Sequence, residues 1–302
     1  MSVEFTVLAS GSHGNCSLVR SGGSGVLIDL GLGSRMLAQR MGTVGSSLSQ
    51  IASALLTHTH GDHVRDASLQ ALAKQGIPLY CHEGHRGSLS RHAGYLALDR
   101  AGCVRTYDDR PFLTPDGLRV EPIGLSHDGG PTFGFRIEAR PARRGRPVSV
   151  GYVADTGCWR RHTAEGLMDV DVLGVEFNHD VAMQKDSGRS PSLIWRNLGD
   201  RGHLSNDQGA ALVSAVLEDS ARGSVRHVVL LHLSDQCNLP VLALSAAKAA
   251  IRDMSRSAKV HVASQWEAFP RLPISPSRVA RRKVMGFPWE RPEPALFRLA
   301  MD

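Results

Sequence analysis

The stretch Leu55-Leu56-Thr57-His58-Thr59-His60-Gly61-Asp62-His63 sets three histidines and one aspartate within six positions behind an apolar strand end. On an extended backbone alternate side chains share a face, so His58 and His60 can point at one ion. Asp62 and His63, past the bend at Gly61, can turn toward a second. Neutral imidazole and carboxylate are the usual ligands of zinc and of comparable divalent ions. A buried polar cluster needs partners, and cations supply them. A solvated polar loop would tolerate the same residues, but few structural roles need so many of them together. The spacing therefore points to a dinuclear metal centre.

An apolar strand followed by HxHxDH is the signature of the metallo-β-lactamase fold, and further stretches resemble its YycJ/WalJ branch of DNA exonucleases. These are Leu8-Ala9-Ser10-Gly11-Ser12-His13-Gly14-Asn15, Leu27-Ile28-Asp29-Leu30-Gly31, Ser126-His127-Asp128 and Gly151-Tyr152-Val153-Ala154-Asp155-Thr156-Gly157. Later in the chain come Glu176-Phe177-Asn178-His179-Asp180, Gly202-His203-Leu204-Ser205-Asn206 and Leu231-His232-Leu233-Ser234. The first motif marks the superfamily, and the NHD and GHLSN stretches narrow it to the branch. His13 and Phe177 depart from the small residue and the serine expected there. The resemblance implies an α/β fold, a metallo-β-lactamase-like αββα sandwich with the dinuclear site at one edge of the sheets.

The resemblance also proposes the remaining ligands. His127, behind the apolar Ile123-Gly124-Leu125, would complete the first metal site with His58 and His60. Asp155 would bridge two cations about 3.5–4 Å apart, and His232, closing Val228-Val229-Leu230-Leu231, would join Asp62 and His63 at the second. Each has a plainer alternative: a surface histidine, a helix cap, or a satisfied residue at a strand end. Asp29 resembles the fold's first-motif acid and would orient the ligand loop rather than bind metal. His179 and His203 could contact the scissile phosphate or protonate the leaving oxygen, or else fix their loops by hydrogen bonds. Ser10 to Asn15 could cradle a phosphate with backbone N–H groups or simply form a tight turn. His82, His85, His92 and His162 have no partners at recognisable spacing.

These groups need a frame, and the 302 residues, 42% apolar, can bury one large core. Short strands alternating with helices indicate layered α/β architecture. Strands are expected over 4–8, 18–20, 26–29, 51–56, 77–80, 118–123, 132–138, 148–154, 170–175 and 227–231. Helices are expected over 34–41, 62–75, 82–92, 205–218 and 240–254, with Gly76 stopping the second and Ser205 capping the fourth. A catalytic domain over 1–268 and a Pro/Arg-rich C-terminal tail over 269–302 follow from composition. The N-terminal residues enter a strand pattern without a leader-like apolar segment, and five cysteines show no CxxC spacing. A soluble cytoplasmic protein with reduced thiols is expected.

Net charge is +6 and the isoelectric point near 9.3. Basic residues cluster at Arg140, Arg143, Arg144 and Arg146 and again at Arg278, Arg281, Arg282 and Lys283. Such patches neutralise phosphates, though each alone is equally a solvated loop. Hydroxide activated by metal ions needs no side-chain nucleophile, which fits the absence of a GxSxG elbow. The expected function is metal-dependent phosphodiester hydrolysis by a metal-bridging hydroxide, with two divalent ions (zinc or manganese, with iron also compatible) as cofactors. DNA exonuclease activity with 5′-to-3′ polarity, and any DNA-repair partners, come from the resemblance alone. Two other functions stay open. One is hydrolysis of a small ester, thioester or cyclic phosphodiester by the same cluster. The other is a non-catalytic nucleic-acid-binding metalloprotein.

Overall fold

The computed structural model describes residues 3–140, 146–254 and 256–275. In chain order the strands are β1 (Val3–Ala9), β2 (Cys16–Ser21), β3 (Ser24–Ile28), β4 (Ile51–Leu55), β5 (Leu79–His82), β6 (Val104–Tyr107) and β7 (Phe112–Leu113). They continue with β8 (Arg119–Leu125), β9 (Thr132–Ala139), β10 (Val148–Val153), β11 (Val172–Glu176), β12 (His227–Leu231), β13 (Lys259–Val262) and β14 (Leu272–Ile274). The helices are α1 (Ser34–Thr43), α2 (Asp66–Gln75), α3 (Arg86–Leu89), α4 (Ala93–Arg100), α5 (Arg161–Gly166), α6 (Val181–Lys185), α7 (Pro191–Leu198), α8 (Asn206–Asp219) and α9 (Pro240–Asp253).

Strand alternation divides the apolar side chains among three layers. One sheet runs β14-β1-β2-β3-β4-β5-β6 and the other β13-β12-β11-β10-β9-β8-β7. Val3, Phe5, Val7, Val26, Ile28 and Leu55 of the first sheet share one core with Phe133, Phe135, Val150, Tyr152, Val172 and Val229 of the second. The intervening Leu8, Leu18, Leu27 and Ala54 turn to the opposite face, where Leu37, Leu69, Leu72 and Leu98 of α1, α2 and α4 cover them. On the outer face of the second sheet, Val153, Leu173, Val175 and Leu230 pack under Leu212, Val216, Ala243 and Ile251 of α8 and α9. The expected αββα sandwich is the fold.

Parallel pairing places the site. β3 pairs parallel with β4, and β10, β11 and β12 run parallel to one another. Their C-terminal ends therefore lie at one edge, the usual place for ligands in α/β sheets. Among the described residues only Asp29, Asp155, Asp169 and His232 are non-glycines with positive φ. Three of the four stand directly at or just beyond these strand ends. Backbone in that region is costly and is kept where the surroundings hold it.

Several expected boundaries differ. The helix expected over 62–75 starts at Asp66, because His63 and Val64 instead donate their N–H groups to His60 O in a tight turn. That turn keeps Asp62 and His63 pointing into the cleft. The helix expected over 82–92 is two short turns, with α4 following it. Beyond 268 the sheet continues: Phe269 N–H donates to Val7 O, and Leu272 pairs with Phe5. The composition-based tail boundary thus falls short of the end of the first sheet. Arg146 is paired with buried Asp171 at 2.6 Å rather than exposed for phosphate binding. Arg143, Arg144, Arg278, Arg281, Arg282 and Lys283 lie outside the described residues.

Leu272 is 9% exposed and belongs to the central core. Leu272→Ala should cost about 2–5 kcal/mol, and a chain ending at residue 268 should lose at least as much, read as a lower urea midpoint at unchanged slope.

Candidate metal centre

The ligand cluster starts from Asp29, fully buried behind β3. Its carboxylate accepts Thr57 N–H at 2.9 Å, Thr57 Oγ1–H at 2.9–3.0 Å and His63 Nδ1–H at 2.7 Å. With the threonine proton spent on Asp29, the 3.0 Å contact between Thr57 Oγ1 and His58 Nδ1 is one in which the ring donates. His127 likewise donates Nδ1–H to Gly202 O at 2.8 Å. Three rings are thus fixed with their Nε2 atoms turned inward, as outer carboxylates and carbonyls do for metal-binding histidines.

Those nitrogens converge. His58 Nε2 lies 3.7 Å from Asp155 Oδ2, and His127 Nε2 lies 3.2 Å from His60 Nδ1. His63 Nε2 contacts Asp155 Oδ2 and stands 3.6 Å from Asp62 Oδ2. His232 reaches Asp155 Oδ1 at 2.9 Å through Nδ1 and Asp62 Oδ2 at 3.4 Å through Nε2. His58, His60 and His127 form one group of donor atoms within 4.8 Å of one another, and Asp62, His63, Asp155 and His232 form a second. All seven residues expected from the sequence are therefore gathered at one place.

The donor set fits divalent cations on two counts. His58 Nε2 is buried without a hydrogen-bond partner, and the buried oxygens of Asp155 meet only imidazole nitrogens of His63, His203 and His232, so these atoms would be costly to bury unless a cation or protons bind them. Asp29, Asp62, Asp155 and Glu176 also concentrate negative charge. Burial opposes charging His63 and His232, yet the surrounding carboxylates, Asp155 foremost, outweigh it and hold both imidazoles well above their usual pKa. Burial likewise opposes ionising Asp155, but His232 and His63 keep it far below the carboxylate range. At the other end burial lowers His58, His60 and His127, leaving neutral rings with lone pairs to offer.

His203 stands beside the second group. Its Nδ1 meets Glu176 Oε1 at 2.8 Å and Asp155 Oδ1 at 3.2 Å, and its ring stacks on His232 at 5.2 Å. Burial works against its protonation, but Glu176 and Asp155 prevail and raise it to about 9. Glu176 was missed as a functional residue, although an acid ending an apolar strand is the same signal that singled out Asp155. Asp155, Glu176, His203 and His232 form a third group of suitable donors. Glu176, however, already accepts Thr156 N–H at 2.9 Å and Leu204 N–H at 3.3 Å in addition to His203. Its oxygens orient the surrounding groups.

His179 is not brought into any of these groups. It is 1% exposed, neither ring nitrogen has a hydrogen-bond partner, and burial takes its pKa to about 4. Its backbone pairs with Ser205 and accepts Asn206 N–H, which ties the NHD loop to the start of α8. Asn15 was a further omission. Gly11 N–H and Gly11 O fix both ends of its amide, and Nδ2 sits 2.9 Å from His63 Nε2 and 3.3 Å from Asp62 Oδ2.

The β-lactamase superfamily domain matches residues 25–233, a span containing all seven ligand-type residues. The chain belongs to that superfamily. Within this hydrolase family it is 28% identical over 250 residues to exodeoxyribonuclease YycJ of Bacillus anthracis, covering 80% of this chain and 87% of that protein. It is also 41% identical over 169 residues to ribonuclease Z of Mycolicibacterium gilvum, covering 45% and 57% respectively. A similar solved structure is the metallo-β-lactamase fold protein YhfI of Bacillus subtilis, with TM-score 0.63 at 16% identity, covering 90% of this chain and all of that one (100%). The expected family resemblance is thereby borne out. Among the described residues no helix is long and apolar enough to cross a membrane.

A Cβ at Gly31 would lie 1.7 Å from Asp62 O, and Gly31 N–H donates to Asn15 O at 2.9 Å. Gly31→Ala should therefore displace the ligand turn and cost more than about 1–3 kcal/mol, seen as a Tm several degrees lower by calorimetry; an unchanged Tm would contradict this packing.

Proposed function

We propose that this chain is a metal-dependent phosphodiester hydrolase that shortens DNA from an end, in the 5′-to-3′ direction. The observation carrying this reading is the convergence of seven ligand-type side chains and the His203–Glu176 pair at one sheet edge. Likeness to an exodeoxyribonuclease along 80% of the chain supports DNA as substrate. The five cysteines are all free, in keeping with a reducing cytoplasm.

His58, His60 and His127 would hold one divalent cation and Asp62, His63 and His232 a second, with Asp155 shared. Zinc, manganese and iron all suit such donors. Bound cations supply positive charge that lowers the pKa of water and offsets charge developing on a phosphoryl group. Asp62 is the ligand carboxylate water can reach, its side chain being 24% exposed, and it receives the proton of the attacking water. The buried Asn15 amide, locked by Gly11, donates to Asp62 Oδ2 at 3.3 Å and fixes that carboxylate. Pre-set donors of this kind act without reorganising during the reaction. In His203, Glu176 and Asp155 hold Nδ1, leaving Nε2 to protonate the leaving oxygen. Buried Glu176, itself held by two backbone N–H groups, keeps that ring in place.

With manganese or zinc, end-labelled linear DNA should shorten progressively, and elemental analysis should find two ions per chain. Asp62→Ala should abolish cleavage. His203→Ala should lower kcat by about 10²–10⁴-fold with KM little changed, and Glu176→Gln should follow it in direction. Hydrolysis of a thioester without action on DNA would refute the proposal.

A second reading, RNA as substrate, is favoured by the likeness to ribonuclease Z. The same oligonucleotide offered as DNA and as RNA separates the two: faster loss of the RNA would replace DNA as the substrate and leave the hydrolytic centre as described.

A further inference from the structure

Two tryptophans stand exposed among the described residues, Trp195 at 77% and Trp266 at 62%. Neither contributes to a core, and each is fastened to one end of the ligand cluster. Trp195 lies on α7, where the next residue, Arg196, binds Asp128 through Nε at 2.5 Å and Nη2 at 2.9 Å. Asp128 Oδ1 is in turn 3.6 Å from His60 Nε2 and 3.5 Å from His127 Nε2. Helix α7 is thereby pinned beside the three-histidine group.

Trp266 is held at the other end. Its neighbour Gln265 accepts His13 N–H at 2.8 Å and donates to Gly14 O at 3.0 Å, clamping the loop from Ser10 to Asn15. That loop places Asn15 against Asp62 and His63, and Ser10 Oγ accepts His232 N–H at 2.8 Å. At its tip the His13 ring lies 5.3 Å from the Trp266 ring, tilted by 36°.

Cations accompany both aromatics. Arg196 follows Trp195 directly, and Arg189, two residues before α7, is bound to Gln236. Arg65 Nη2 donates to His13 O at 3.1 Å. Exposed aromatic faces interleaved with guanidinium groups are how unpaired nucleic-acid strands are gripped, the rings taking bases and the cations taking phosphates. A phosphodiester also has a nucleoside on each side, which matches one platform at each end of the cluster.

We propose that Trp195 and the Trp266–His13 pair are base-stacking platforms for the nucleotides flanking the scissile phosphate, so that the centre takes a single-stranded segment of DNA. This rests on the phosphodiesterase reading above and adds to it where, and by what contacts, the strand is held. Because stacking needs only a π-face, the platforms accept any base.

The test measures steady-state cleavage by the metal-loaded full-length protein on a single-stranded oligonucleotide and on a counterpart whose flanking nucleotides are abasic. Trp195→Ala and Trp266→Ala should each raise KM on the base-bearing strand by about 10-fold, with Trp195→Phe and Trp266→Phe restoring most of it. On the abasic strand the wild type should already show the raised KM, and the alanine variants should add little. Unchanged KM in the variants, or equal losses on both strands, overturns the platforms while leaving DNA hydrolysis standing. If the wild type cleaves and binds no DNA at all, the functional reading fails and takes the platforms with it. A dimer in light scattering that Trp195→Ala converts to monomer would assign that tryptophan to a second copy of the chain and overturn its role in stacking.

Discussion

The molecule depends on the charge balance of one water-poor edge, where carboxylates of Asp29, Asp62, Asp155 and Glu176 lie among the imidazoles of His58, His63, His203 and His232. Isolated charges there would be untenable, because desolvation costs several kcal/mol per ion. The cluster is stable only as a whole, with positive charge delivered by protons or by cations. Of the four acids, Asp29 and Glu176 spend their oxygens on backbone N–H groups, Thr57 and imidazoles. Asp155 has no backbone or hydroxyl donor on either oxygen and faces only the imidazoles of His63, His203 and His232, and that difference marks it as the carboxylate a cation could share.

Holding such a cluster places demands on the backbone that regular strands do not meet. Side chains on a strand end point alternately to the two faces, whereas the ligands must all face outward along the strand direction. The left-handed turns at Asp29, Asp155 and His232 accomplish this change of direction. Aspartate tolerates that conformation better than most residues, and His232 is held in it by Ser10 and Asn178. The strain is offset by three well-filled apolar layers that fix where each strand ends. Stability of the sandwich and readiness of the site are therefore one problem.

Much of this was legible in the sequence. The ligand-type residues follow apolar strand ends, so the pattern that gives the strands also locates His58, Asp155 and His232, and with them Asp29, which orients His63. The sandwich and its edge site followed from the motif resemblance. What escaped has physical reasons. Residues 62–65 have helix-compatible composition, but Val64 pairs with Leu30 and Gly31 closes on Asp62, so tertiary contact overrides local preference. Asn15 acts through contacts with residues far along the chain, and spacing carries no trace of it, whereas Glu176 ends an apolar strand as visibly as Asp155 follows one but takes its role from His203 far along the chain. His179 stands in a motif-rich loop, yet its side chain is buried and its backbone does the joining. The strand at 272–274 is too short and proline-interrupted to register as periodic.

The same division bears on specificity. The sheets and their end residues set up hydrolytic chemistry that suits many esters, and nothing in that edge selects among them. Selection has to come from what surrounds the opening, and two irregular segments are tied to it: the loop from Ser10 to Asn15 and the stretch carrying α6 and α7. The first exposes only Ser12 and His13 at its tip, while α7 buries Asn197 alone. Each is tied to the cluster by polar bonds, one through Asn15 and Ser10, the other through Arg196 and Asp128. Because these ties end on groups beside the ligand residues, the position of the rim and the geometry of the centre are coupled. The Arg196–Asp128 pair ends 3.6 Å from His60 Nε2 and 3.5 Å from His127 Nε2, so the placement of α7 bears on the surroundings of both rings. A change at the rim that breaks one of these ties therefore reaches the centre without passing through either sheet, so the residues making the ties are constrained while the exposed positions between them are not.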